Sequence, residues 1–186
     1  PLATGGPIAA LGCPEGIVFV TLGRSRQKVF EIYDRIAMGA IGHPGDIERL
    51  RMAAIELASA EGFTRSVGDV SLRRLAYYSL SPVLKTAFEQ VFGPPYLARM
   101  LFAEIGETTC DDLFLRLEYD GAIALSGGET GKKARHFAAL GGTRAATAAM
   151  ESFLLERHDS TVTLASALSP EMAAWTVGQL ASPDEA

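Results

Sequence analysis

Cysteine is scarce in this chain of 186 residues. Cys13 and Cys110 stand far apart, with no CxxC spacing and no Cys/His cluster around either. That excludes a disulfide framework and a zinc site built on the usual ligand spacing, and predicts two reduced thiols. Histidine is equally sparse. His43, His136 and His158 are scattered, and each reads as a surface or turn residue rather than a ligand. Positive charge is not in excess: 17 Lys and Arg stand against 22 Asp and Glu, a net charge of −5. Electrostatics therefore gives no reason to expect nucleic acid or an anionic membrane as a partner. Long apolar runs are missing too, none nearing the roughly 18 residues a membrane-spanning helix requires. The N-terminal "PLATGGPIAAL" lacks the basic start and long apolar centre of a signal peptide. The first residue is Pro1 rather than Met, which leaves room for further residues upstream.

What is present is an ordinary globular composition, 48% hydrophobic and 21% charged, enough for a layered core. "PIAALG" and "GIVFVTL" flank the turn "CPEG", a hairpin signal with Pro14 and Gly16 as turn residues. "KVFEIYD" alternates, with Val29, Glu31 and Tyr33 on one face and Phe30, Ile32 and Asp34 on the other. The small-residue strand "RIAMGAIG" follows. After "GHPGD" the period changes. Ile47, Leu50, Ala54, Leu57 and Ala58 recur at helical spacing, and Gly62 is placed to end that helix. A second helix is expected from an Asp69 cap to about Phe92, kinked or restarted at Pro82 with Ser81 as the new cap. Strand patterns return at 97–106, 112–120 and "DGAIAL", with a further apolar segment "FAALGG". A third helix fits 143–157 with Thr143 as its cap. A fourth falls within 162–181, with "SPE" at 169–171 as an internal start.

Four strands, two helices, about three strands and two helices predict an α+β fold in which helices cover two sheets, a layered α/β/β/α sandwich. Residues 1–186 show no repeat, low-complexity tract or linker, and are expected to form one domain. "GETGKK" within the loop 126–136 falls short of a phosphate-binding P-loop, because Lys133 stands where Ser or Thr is required. An exposed loop is expected there.

Several stretches carry a resemblance. "GIVFVTLGRSRQKVFEIYDRIAMGAIG", "IERLRMAAIELASAEGF", "PYLARMLFAEIG", "LRLEYDGAIA" and "FAALGGT" occur in the order and spacing of bacterial, actinobacterial-type proteasome α-subunits. The similarity runs from about residue 6 to about residue 168. It implies the N-terminal-nucleophile hydrolase fold and assembly into a cytoplasmic, seven-membered ring.

Within that family, hydrolytic β-type subunits use an N-terminal Thr supported by an Asp and a Lys. Aligned on "CPEG", the Thr position falls on Gly6, the Asp position on Leu22 and the Lys position on Lys28. Neither a glycine nor a leucine can supply that chemistry. The resemblance therefore implies a non-catalytic α-type subunit that needs no cofactor. In such subunits a lysine here receives the C-terminal carboxylate of an ATPase or other activator. Lys28 is then the docking cation, with Gly42 and His43 as candidate pocket wall. The plainer alternative pairs Lys28 with Glu31 or Asp34.

The implied partners are like α-subunits, a β-ring and an ATPase ring that feeds substrate through a gate for protein degradation. Two readings compete: an active peptidase using another nucleophile on this fold, and a proteasome-related scaffold outside the proteasome. The family also has a helix before the first strand and strands after the fourth helix, for which residues 1–6 and the tail "GQLASPDEA" show no pattern. If the polypeptide stops there, an open sheet edge is expected.

Overall fold

A computed structural model describes residues 2, 5–22, 27–127, 136–159, 161 and 163–180. β1 (Ile8–Cys13) and β2 (Gly16–Thr21) form the expected hairpin, registered from Ile8 opposite Thr21 to Cys13 opposite Gly16. β3 (Val29–Tyr33) and β4 (Ile36–Gly42) form a second hairpin across the Asp34–Arg35 turn. Next come α1 (Pro44–Thr64), α2 (Leu72–Arg74), a wider π-type turn at Leu75–Leu80 and α3 (Ser81–Glu89). β5 (Ala98–Glu104), β6 (Leu113–Leu117), β7 (Ile123–Gly127) and β8 (Phe137–Leu140) precede α4 (Arg144–Arg157) and α5 (Leu164–Leu180).

The strands sort into two sheets, β2-β1-β8 and β3-β4-β5-β6-β7. α1 packs on β3 and β4 and α2 on β5, while α4 packs on β8 and α5 on β1 and β2. Helices thus cover the outer faces of two sheets packed against each other, the α/β/β/α order the sequence predicts. Because β1 and β5 are interior on both faces, they read as nearly continuous apolar runs. Ile8 and Ala10 point between the sheets, Ala9 and Leu11 towards α4 and α5. Likewise Leu101 and Ala103 lie between the sheets, and Met100 and Phe102 beneath α1–α3.

The departures from expectation have physical causes. Gly62 does not end α1, which continues to Thr64. It is the point where the helix touches Tyr33, and a Cβ there would stand 2.0 Å from the tyrosine oxygen. Leu57 is largely on the solvent side of the same helix. Asp69 belongs to a single 3₁₀ turn, Val67–Asp69, and Ser71 caps the next helix by accepting the N–H of Arg74. The helical run ends at Glu89, short of Phe92.

Pro82 does not break the run, because the turn before it is widened. The Ser81 N–H reaches back to Ala76 O, five residues away, in the turn where proline withholds its own donor. Ser81 is itself helical and donates its hydroxyl to Gly121 O at 2.7 Å instead of capping. The "SPE" signal does not divide α5, which runs through 169–171. Thr143 caps α4 as expected. Glu118 and Tyr119 lie beyond the end of β6. Cys13 and Cys110 are free thiols, and burial pushes the Cys13 thiol above its usual value. "GETGKK", residues 128–133, lies outside the described residues.

Candidate functional site

Lys28 stands immediately before β3, and its carbonyl accepts the N–H of Ala40 on β4 at 3.0 Å. That bond extends the β3–β4 ladder by one residue and fixes the backbone from which the long side chain departs. The ammonium donates to Leu22 O at 2.9 Å and to Gly6 O at 3.4 Å. It therefore bridges the residue that enters β1 and the residue that leaves β2. The three positions aligned from sequence, Gly6, Leu22 and Lys28, are neighbours in space. Gly6 leaves room for the lysine: a Cβ there would lie 2.6 Å from Nζ. Among the described residues no carboxylate pairs with Lys28, so the alternative partners Glu31 and Asp34 are not used. Burial lowers the Lys28 pKa from the usual lysine value, because its charge is partly removed from water.

Lys28 lines a cavity of about 360 Å³ with Phe30, Ala40, Ile41, Gly42, Pro44, Ile47 and Glu48. Gly42 has a structural reason to be glycine. Its φ is +145°, and a Cβ would lie 2.0 Å from Leu97 O and 2.7 Å from Ala98 Cα on the paired strand. His43 differs from the other two candidates. It is the N-cap residue of α1 and exposed, makes no side-chain cap, and is not among the residues lining the cavity. Its backbone does the work there, donating to Leu97 O at 2.7 Å and accepting from Asp46 and Ile47.

Three further residues shape the cavity and escaped the sequence reading. Arg51 forks onto Glu48 through bonds of 2.8 and 2.6 Å, and its guanidinium lies 5.5 Å from the centre of the Phe30 ring. The bonded Arg51 holds the Glu48 carboxyl below its usual pKa. The Glu48–Arg51 pair was visible as an i,i+3 spacing on α1, but nothing in the sequence joined it to Phe30 on a different hairpin.

Chemically, the cavity offers one lysine ammonium against mainly apolar walls. An ammonium has three donors, and two are taken by carbonyls. The remaining donor suits an anion that brings apolar groups with it. Neither Gly6 nor Leu22 carries a hydroxyl, thiol or carboxylate for bond-breaking chemistry. Among the described residues, no three His, Cys, Asp or Glu side chains gather to hold a metal ion. No helix among them is long and apolar enough to cross a membrane.

The two-sheet, four-layer sandwich, with a lysine set between the start of β1 and the end of β2, defines the class: the N-terminal-nucleophile hydrolase fold in its proteasome-subunit form. No family model matches the chain. Curated relatives do. The chain is 36% identical over 169 residues to a proteasome subunit alpha of Nocardioides sp., covering 90% of this chain and 62% of that protein. It is 35% identical over 179 residues to the proteasome subunit alpha of Frankia casuarinae, covering 95% and 69%. With the proteasome subunit alpha of Streptomyces avermitilis the identity is 34% over 169 residues, covering 90% and 62%. The chain belongs to the proteasome alpha subunit family. It spans a little over three fifths of the length of the Nocardioides and Streptomyces relatives.

Proposed function

We propose that this chain serves as a non-catalytic subunit of a proteasome core particle in the cytoplasm, with residues 1–186 acting as one domain in a seven-membered outer ring. Its neighbours are like subunits, and its axial partners are a β-ring on one side and an ATPase or other activator on the other. Lys28 receives the C-terminal carboxylate of that activator in the cavity beside Gly42, and His43 stands at the rim. The observation that carries this reading is the Lys28 ammonium, which lines a mainly apolar cavity and among the described residues has no carboxylate partner. A terminal carboxylate supplies the missing countercharge and regains what the lysine loses by burial. The nucleophile position, Gly6, has no side chain to attack a peptide, so the subunit shapes access to the chamber rather than cutting. Phe63, Tyr78, Val91 and Phe92 leave large apolar surfaces exposed on and beside the first helices. These surfaces suit subunit contacts.

The test is a titration of the protein with an extended peptide ending in a free carboxylate, in parallel with the same peptide as its C-terminal amide. A charge-assisted hydrogen bond contributes about 1.5–3 kcal/mol, so the amide and the Lys28→Ala variant should each bind roughly ten- to a hundredfold more weakly. Equal affinity for acid and amide would remove Lys28 from the docking role. Native mass spectrometry with a β-subunit from the same source tests assembly; a stable monomer that never co-assembles sinks the ring role. Covalent labelling by a reagent for N-terminal threonine nucleophiles would instead establish a peptidase.

A further inference from the structure

By sequence His158 is expected at the surface or in a turn; it follows a helix end, but its ring nitrogens are buried. His158 follows α4 as its C-cap, and its N–H donates to Leu154 O at 2.8 Å. The ring stands edge-on to Phe137 of β8, centroids 5.7 Å apart and planes at 81°. Both ring nitrogens are buried, and among the described residues neither has a hydrogen-bond partner. A neutral imidazole in this position leaves one N–H and one lone pair unsatisfied. An imidazolium leaves two N–H groups and a full charge unsatisfied, a much larger penalty.

A second histidine lies close by. His136 immediately precedes Phe137, and its Nδ1 lies 2.8 Å from Thr109 O. The charged groups that act on His158 are His136, from the β8 side, and Asp159, its neighbour in the chain. His136 is in turn faced by the buried carboxyl of Asp112. His136 thus has a carbonyl and a carboxylate beside it, whereas among the described residues the carboxylate acting on His158 is that of the adjacent Asp159.

We propose that His158 is an acid-sensitive latch: the end of α4 stays docked on Phe137 of β8 only while His158 is neutral, and acidification releases it. A proton on the docked ring would place a full charge and two unbonded N–H groups out of water, and release into water removes both penalties. The sign follows from linkage. Burial lowers the His158 pKa below its usual value, so the released form binds more protons than the docked form. Docking is therefore fully stable above the ordinary histidine pKa of about 6.5 and weakens as pH falls below it, by up to about tenfold in equilibrium constant per pH unit. The weakening stops at the depressed pKa of the docked ring. Asp159 works against the release, and its effect is included in the net downward shift.

Hydrogen exchange on the whole chain tests the latch. Protection is measured for amides in 154–159 at about pH 7.5 and about pH 5.5, corrected for the intrinsic pH dependence of exchange, in the wild type and in His158→Phe. The wild type should lose roughly tenfold protection in this segment on acidification. His158→Phe keeps the ring and the Phe137 contact but cannot ionise, and should keep its protection. An equal loss in both proteins, or no loss in either, overturns the proposal. If His158→Phe fails to fold, NMR titration of the wild-type imidazoles decides the matter. The latch requires a His158 pKa below the ordinary histidine value of about 6.5, and an ordinary value refutes it.

Discussion

Gly42 joins β4 to the turn before α1 and lines the Lys28 cavity, so replacing it by alanine tests how the site is built. Two costs add. With φ at +145°, Gly42 has a backbone conformation that a residue with a Cβ rarely adopts, at about 1–3 kcal/mol. The new methyl would also stand 2.0 Å from Leu97 O and 2.7 Å from Ala98 Cα. Both are backbone atoms of the neighbouring strand and cannot rotate away, so β4 and β5 must part where Gly42 pairs with Ala98. Overpacking of this kind costs a further ~1–3 kcal/mol. Alanine recovers about 0.4–1 kcal/mol by restricting the unfolded chain.

The net expectation for Gly42→Ala is a loss of about 1–5.5 kcal/mol, a large share of the ~5–15 kcal/mol a domain holds. Gly16→Ala is the internal control. Gly16 has φ at +137°, but nothing lies within 4 Å of its Cβ position. It should lose only the conformational part, about 0–2.5 kcal/mol. Urea unfolding followed by circular dichroism reads both variants. A Gly42→Ala protein within about 0.5 kcal/mol of wild type, or no worse than Gly16→Ala, would refute the claim that strand contact dictates this glycine.

Two further outcomes follow from the packing. Gly62→Ala should gain about 1 kcal/mol of helix propensity but lose it to the clash with the Tyr33 oxygen, whereas in a Tyr33→Ala background the same change should stabilise; a double-mutant cycle in thermal melts checks the coupling, and additivity would contradict it. Arg99, 4% exposed, forks onto Glu118 at 2.5 and 2.8 Å and also donates to Gly141 O at 2.6 Å. Arg99→Met should cost up to about 3–5 kcal/mol of unfolding free energy in urea by stranding the half-buried Glu118 carboxylate, with much of the loss regained when Glu118→Leu is added. A double variant no more stable than Arg99→Met would show that the stranded charge is not the cause.

The layer order was legible in the chain because burial on one or both faces writes a period into the side chains. The alternation of 28–34 and the apolar runs of β1 and β5 carried the sheets, and the spacing of Leu50, Ala54 and Ala58 carried α1. The grouping of Gly6, Leu22 and Lys28 was readable only through the family resemblance, aligned on the turn "CPEG". Local signals misled where a distant contact overrode them. Gly62 reads as a helix stop, and only the approach of Tyr33 from the β3–β4 hairpin makes it an interior glycine. Pro82 reads as a break, and a turn widened to five residues absorbs it. His158 reads as a surface residue because nothing near it in sequence is Phe137. The sequence by itself determined the sandwich, since periodicity is a local property of the side chains. The tertiary structure alone decided that Lys28 bonds carbonyls instead of Glu31 or Asp34, that Arg51 covers Phe30 beside the same cavity, and that the ring nitrogens of His158 are buried, because each depends on residues that meet only when separate elements pack.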